Sequence, residues 1–147
     1  MNRILVGLDG SDRERGVLEA AAGLARKTGA KLVLFRSVGL PHEHDLPADA
    51  YAMAPADIMK TLEQRARTGL EKAAAAVSPA LVAGVRVIVG VPWDAIERAA
   101  KEENCDLIVI GSHGYDTVDK LIGTTAAKVV NHAKISVLVV RAPERLT

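Results

Sequence analysis

Short blocks of consecutive apolar residues alternate along this chain with longer stretches in which apolar residues recur every three or four positions. The blocks are Arg3-Ile4-Leu5-Val6-Gly7-Leu8-Asp9, Lys31–Ser37 (KLVLFRS), Val85–Val89 (VRVIV), Leu107–Ile110 (LIVI) and Ser136–Val140 (SVLVV). Runs of that length predict strands, and Leu107–Ile110, bounded by Asp106 and Gly111, predicts one buried on both faces. Four helices are predicted between them. The first carries Val17, Leu18, Ala21, Leu24 and Ala25 on one face, runs to about Lys27 and stops at Gly29. Ser11 and Glu14 stand at capping-box spacing, which predicts Ser11 as its N-cap. The second runs from about Pro55 to Ser78-Pro79 with Ile58, Leu62, Ala66, Leu70, Ala73 and Val77 in its stripe. The third is short, opens on Pro92 and carries Trp93, Ile96 and Ala100. The fourth follows Gly123 with Ala127, Val129, Val130 and Ala133. Arg86 amid apolar neighbours places its strand at a sheet edge. Residues 39–54, rich in Pro, His, Asp and Ala, read as a long loop. Five strands alternating with four helices predict an α/β fold: one domain, residues 1–147, with an open, mostly parallel sheet and right-handed crossovers.

Composition narrows the class. Hydrophobic residues make up 49% of the 147 and aromatics only 3%, so the core is aliphatic. A net charge of +1 gives no global field for nucleic acid or anionic membrane. Lys and Arg are dispersed without interleaved aromatics, which argues against a nucleic-acid surface. The lone Cys105 excludes an internal disulfide and suits a reducing compartment. No signal peptide precedes Ile4 and no apolar run approaches membrane-spanning length, so the expectation is a soluble cytoplasmic protein without membrane contact.

Residues 106–125 (DLIVIGSHGYDTVDKLIGTT) carry the chemistry. A buried strand breaks at Gly111-Ser112-His113-Gly114, passes a polar segment and closes on Gly123-Thr124-Thr125 at a helix start. Glycines admit close approach of backbone N–H groups, and the first N–H groups of a helix are unpaired and partly positive. Hydroxyls of Ser112, Thr124 and Thr125 add donors, so phosphate is the fitting guest. A plain strand-to-helix reversal is the alternative. The chain contains no Gly-Lys-Ser/Thr phosphate loop and no G-x-G-x-x-G fingerprint. In open α/β sheets ligands bind beyond the carboxyl ends of strands where the strand order reverses. Asp9 would face the Gly111 loop there, with Ser37 and Val38 alongside. A carboxylate so placed accepts hydrogen bonds from ribose hydroxyls or holds water on Mg²⁺, or else it satisfies N–H groups of its own turn. His42-Glu43-His44 reads as a surface turn rather than a metal site, His113 as a backbone contact, His132 as a helix-end residue and Trp93 as core. Ser11 lacks the G-x-S-x-G elbow of a hydrolase nucleophile.

The strand Ile4–Asp9, the Gly90-x-Pro92 turn and the loop GSHG…GTT together resemble the universal stress protein family over essentially the full length. The family's nucleotide-binding pattern is G-x-x-G, nine residues, then G-Ser/Thr, whereas eight residues, Tyr115 to Ile122, separate Gly114 from Gly123 here. The resemblance implies a five-stranded sheet in order 3-2-1-4-5, of the adenine-nucleotide alpha-hydrolase-like kind. It implies ATP or another adenine nucleotide with Mg²⁺. Asp9 would contact ribose or metal-bound water, and Ser37 and Val38 the adenine. Ile110, Gly111, His113 and Gly114 would line ribose and the α/β phosphates. Gly123, Thr124 and Thr125 would take the β/γ phosphates. The role implied is stress response through nucleotide-sensitive association, with an unidentified protein partner. A homodimer is expected through Val137-Leu138-Val139-Val140, an apolar rim without a charge before Arg141. A slow ATPase or phosphotransfer enzyme, and a dimeric scaffold with an empty cleft, are the alternatives.

Overall fold

Each apolar block forms one strand of a single sheet, and each periodic stretch forms a helix laid against it. The computed structural model describes residues 1–39, 52–112 and 122–141. In chain order these hold β1 (Arg3–Gly7), α1 (Glu14–Thr28), β2 (Lys31–Val38), α2 (Pro55–Ala76), β3 (Val82–Val89), α3 (Pro92–Glu102), β4 (Leu107–Gly111), α4 (Thr124–His132) and β5 (Ser136–Val140). The strands lie in the order β3-β2-β1-β4-β5, every neighbouring pair parallel. β1 pairs with β2 on one side (Leu5 opposite Val33) and β4 on the other (Leu5 opposite Ile108).

Strand alternation splits the core into two layers. Ile4, Val6, Leu8, Leu32, Leu34 and Val109 meet Val17, Leu18, Ala21 and Ala25 of α1 and Leu70 of α2. Leu5, Val33, Phe35, Ile88, Ile108 and Ile110 meet Ala95, Ile96, Ala99 and Ala100 of α3 and Ala126 and Val129 of α4. Phe35, the chain's one phenylalanine, is fully buried there. Small alanines on the helices let these short crossovers sit close on the sheet.

Several boundaries differ from those predicted, for local reasons. Ser11 does not cap α1, which begins at Glu14 after Arg13 without a side-chain cap. The Ser11 hydroxyl instead donates to Asp9 Oδ1 (2.6 Å), and Glu14 Oε2 reaches back to the Gly10 N–H (2.8 Å) rather than to residue 11. The capping-box residues are present, but the Asp9 carboxylate competes for the serine. At the other end Gly29 (φ 77°) closes α1 as predicted, its N–H donating to Ala25 O (2.9 Å). β1 ends at Gly7, two residues before Asp9, and β2 runs on through Val38. β3 begins at Val82, where Gly84 and a register shift opposite Leu32/Val33 had hidden its first residues. A single 3₁₀ turn, Pro79–Leu81, precedes it. On α4 the buried pair is Ala126 and Val129, while Val130 is 48% exposed. His42, Glu43 and His44 lie outside the described residues.

Charge ties the end of α3 to β3 and β1, and the start of β4 to that of β1. β3 is an edge strand, as Arg86 predicted, and that arginine bonds to Glu102 and to Glu103 (2.9 Å) at the end of α3. Glu103 also pairs with Arg3 (3.4 Å). The Asp106 carboxylate accepts the N–H groups of Asn2 (2.7 Å) and Arg3 (2.8 Å), joining the start of β4 to that of β1. Cys105 beside it is buried, which pushes its thiol up to about 11 and leaves it an inert packing residue.

The N–H groups of Arg3 and Asn2 hold Asp106 below the usual carboxylate range. A depressed folded value means that this stabilisation is present above the unfolded carboxylate pKa and disappears as pH falls through the folded one. Asp106→Asn should therefore lower the urea midpoint at pH 7, with the two midpoint curves converging in acid as Asp106 of the folded protein becomes protonated. An offset that stays constant as the pH is lowered through the carboxylate range would remove the titration of Asp106 as the cause.

Candidate functional site

The sheet order reverses between β1 and β4: from β1 the chain first builds outward to β3, then returns to add β4 and β5 on the other side. Helices that leave adjacent strands in opposite directions part at their carboxyl ends, and a crevice opens there. The register pairs Val6 with Val109. Asp9 thus lies just past the end of β1, and Ser112 just past the end of β4.

Two positions at these strand ends leave no room for a side chain, one against the neighbouring strand and one against α1. A Cβ on Gly7 would stand 2.9 Å from Ile110 Cγ2, and one on Gly111 would stand 3.2 Å from Val17 Cγ2. Ile110 is buried and Gly111 half-buried. Ser37 (half-buried) and Val38 (buried) end β2 beside them, with Val38 O accepting the Gly90 N–H (3.0 Å). The structure thus brings Asp9, Ser37, Val38, Ile110 and Gly111 to one end of the sheet. His113 and Gly114 lie outside the described residues.

Ser112 is the hinge of the β4–α4 connection. Its N–H donates to Val140 O (2.9 Å) and its C=O accepts the Gly123 N–H (2.6 Å). The strand end is thereby bonded to the N-cap of α4. Its hydroxyl is 1% exposed, yet Oγ has no hydrogen-bond partner among the described residues. An unsatisfied buried hydroxyl costs roughly 1–3 kcal/mol, a cost that a ligand acceptor removes. Gly123 caps α4 with extended backbone (φ −60°, ψ 160°) and offers no side-chain cap, while Thr124 and Thr125 occupy the exposed first turn. The first N–H groups of α4 therefore have no intrahelical partner, at the end where the helix dipole concentrates about half a positive charge. A buried orphan donor beside an uncapped helix start fits a phosphate group.

Asp9 is exposed. Its Oδ1 accepts both the Ser11 N–H (2.9 Å) and the Ser11 hydroxyl (2.6 Å), so one oxygen stabilises its own turn. Oδ2 takes no hydrogen bond among the described residues and is open to a ribose hydroxyl or a cation's water. No group of three or more His, Cys, Asp or Glu among the described residues could hold a metal ion. A magnesium ion here would take its ligands chiefly from phosphate and water, with Asp9 as the available carboxylate.

A model of the universal stress protein family matches residues 1–141. This chain belongs to that family. A universal stress protein of Mycobacterium tuberculosis is 35% identical over 147 residues, spanning 93% of this chain and 94% of the relative. A member of the family from Burkholderia pseudomallei has been solved, 30% identical, with a TM-score of 0.73 over 96% of each chain. Another universal stress protein, solved in complex with cAMP, is 29% identical with a TM-score of 0.60, covering 95% of this chain and 97% of that one. No helix among the described residues of this universal stress protein is long and apolar enough to cross a membrane.

Sequence reasoning missed the surroundings of Asp9. Arg36, to which the strand pattern assigned no role, is bonded to both Leu8 O and Glu14. The available signals were an arginine inside an apolar strand and Gly69 in the middle of α2. Trp93 packs against its core layer as expected, and its ring also meets His132 at 4.7 Å between centroids.

The Gly7–Ile110 approach sets how tightly β1 meets β4 below the crevice. Gly7→Ala should destabilise the protein by about 1–3 kcal/mol through overpacking against a methyl that cannot swing away. Ile110→Ala in the same chain should recover part of that loss in a denaturation cycle. Strict additivity of the two substitutions would show that the contact is slack.

Proposed function

We propose that the chain, over residues 1–147, is a regulatory module that binds an adenine nucleotide, ATP with Mg²⁺, and reports occupancy through a change in association. The observation that carries this reading is the buried Ser112 hydroxyl, without a hydrogen-bond partner among the described residues, beside the start of α4 with no side-chain cap. The universal stress protein solved with cAMP supports an adenine nucleotide as the guest. In this reading Gly123, Thr124 and Thr125 take the terminal phosphates on backbone N–H groups and hydroxyls. Ile110, Gly111, His113 and Gly114 line the ribose and the inner phosphates. Asp9 binds ribose or a water on Mg²⁺, and Ser37 and Val38 meet the adenine. The bound metal would neutralise phosphate charge; the chain's own groups bind and orient. Family membership supports a cytoplasmic role in stress response, with a protein partner that senses occupancy.

Gly123→Asp separates binding from folding. An aspartate at the N-cap accepts the N–H groups of the first turn and should raise stability by a few tenths of a kcal/mol. It also places a carboxylate where phosphate would lie, and should weaken ATP binding by at least about tenfold in calorimetric titration. Undiminished affinity in a stabilised variant would reject the phosphate assignment. Turnover of Mg²⁺-ATP by the wild type should stay well below about one per second, because the cradle is built from amides and hydroxyls and lacks a phosphate-loop lysine. Faster hydrolysis would favour the enzyme reading.

Association is assigned to β5. This strand is the second sheet edge, and Leu138 on it is 37% exposed. Val140 O accepts from Ser112. By strand alternation the Val139 N–H then lies at the open edge, ready to pair with a second copy about a two-fold axis. Val139→Pro removes that donor without breaking the bonds to β4. Sedimentation should show a wild-type dimer at micromolar concentration and a Val139→Pro monomer. A monomeric wild type would refute the assignment.

A further inference from the structure

Arg36 is a charged residue in an otherwise apolar row. Its predecessors on the same face of β2, Leu32 and Leu34, are fully buried under α1 and α2, and its own side chain is only 19% exposed. Two of the guanidinium nitrogens bond to one short piece of chain. Nε donates to Leu8 O (3.3 Å), and Nη2 pairs with Glu14 Oε2 (3.0 Å). That same Oε2 accepts the N–H of Gly10 (2.8 Å). The carbonyl preceding Asp9 and the N–H following it are thus held by one ion pair, and Asp9 is the residue in between.

Two glycines make room for this arrangement. A Cβ on Gly10 would lie 3.2 to 3.3 Å from Cζ, Nη1 and Nη2 alike, directly over the guanidinium. Gly10 also adopts φ 80°, where a side chain is strained. A Cβ on Gly69 would lie 3.2 Å from Nη1. Glycine inside a long helix is unfavourable, and at residue 69 it leaves the space that the guanidinium fills. An arginine in a core strand and a glycine in mid-helix each break a local rule, and one contact accounts for both.

We propose that Arg36 and Glu14 are positioning residues for the ribose of the bound nucleotide, acting by fixing the Leu8–Gly10 turn so that the free oxygen of Asp9 meets the sugar hydroxyls. This rests on the nucleotide-binding reading above and adds to it the element that sets sugar recognition. The ion pair does not touch the ligand. Its role is to hold a solvent-exposed carboxylate in one direction, which a turn tied only by Ser11 would not do.

The test is calorimetric titration of the full chain with ATP and with 2′,3′-dideoxy-ATP. Wild type should prefer ATP by at least about tenfold, the scale of hydrogen bonds to a charged acceptor. Arg36→Met, which keeps the aliphatic stem, should reduce that preference to below about threefold with dideoxy-ATP affinity nearly unchanged. Asp9→Asn should do the same, and the Arg36→Met, Asp9→Asn double variant should lose no more than either alone. A merely structural role for Arg36 would lower the melting temperature or weaken both ligands equally, leaving the ratio intact, and that result overturns the proposal. If Arg36→Met does not fold, Glu14→Gln gives the same reading through the other half of the pair. Wild type that binds both nucleotides equally overturns this inference while nucleotide binding stands. Wild type that binds neither removes the function and the inference together.

Discussion

The parallel pairing of β1 with β4 is the contact on which the rest depends. It joins the two halves of the sheet, places the strand-order reversal, and fixes the end of β1 against the end of β4. At the amino ends Asp106 fastens it through the N–H groups of Asn2 and Arg3. At the carboxyl ends it is tight because Gly7 offers no Cβ to Ile110. Between these points three residue pairs carry the ladder, and all six residues are buried. The pairing is non-local, with α1, β2, α2, β3 and α3 between its two strands, so closing it costs loop entropy that packing on both faces offsets. The two aliphatic layers supply that packing.

What this pairing presents at its open end is a set of incompletely satisfied polar groups. Ser112 spends its backbone groups on β5 and on the cap of α4, and its hydroxyl has no partner among the described residues. The α4 start lacks a capping side chain. Asp9 spends one oxygen on its own turn. Among the described residues three buried side-chain atoms lack a hydrogen-bond partner, Arg3 Nε, Glu97 Oε1 and Ser112 Oγ, and Ser112 is the one that stands at the switch point of the α/β sheet. The same economy explains why glycine recurs here. At Gly7 and Gly111 a methyl group would press on a neighbouring side chain, and at Gly10 the backbone is left-handed as well.

Strand identity and helix identity were legible because the chain's apolar periods are clean and β-branched residues concentrate in the strands, whereas the strand order β3-β2-β1-β4-β5 came from the family resemblance. The edge position of β3 could be read from Arg86 alone, since a guanidinium bonded to Glu102 and Glu103 needs the open side of a sheet. Less legible were features that depend on competition between neighbours. Ser11 and Glu14 satisfy the capping-box spacing, yet the serine bonds to Asp9 and the glutamate to Gly10 and Arg36. Spacing records which partners are within reach and says nothing of which wins. The early start of β3 was masked by Gly84 and a register shift. The family pattern located Asp9, Gly111 and Gly123 at the strand and helix ends. Nothing in the linear pattern linked Arg36 to Gly69, 33 positions further along by difference of their numbers, because that link exists only once α2 crosses β2.

The claim that the crevice is a nucleotide site is tested most directly by mapping amide shifts on the isotopically labelled protein during titration with Mg²⁺-ATP. The account predicts saturable shifts that share one binding curve at Asp9–Ser11, Ser37–Val38, Ile110–Ser112 and Gly123–Ala126, with the amino ends of the strands around Asp106 unmoved. Shifts confined to other surfaces, or none at millimolar nucleotide, would contradict it.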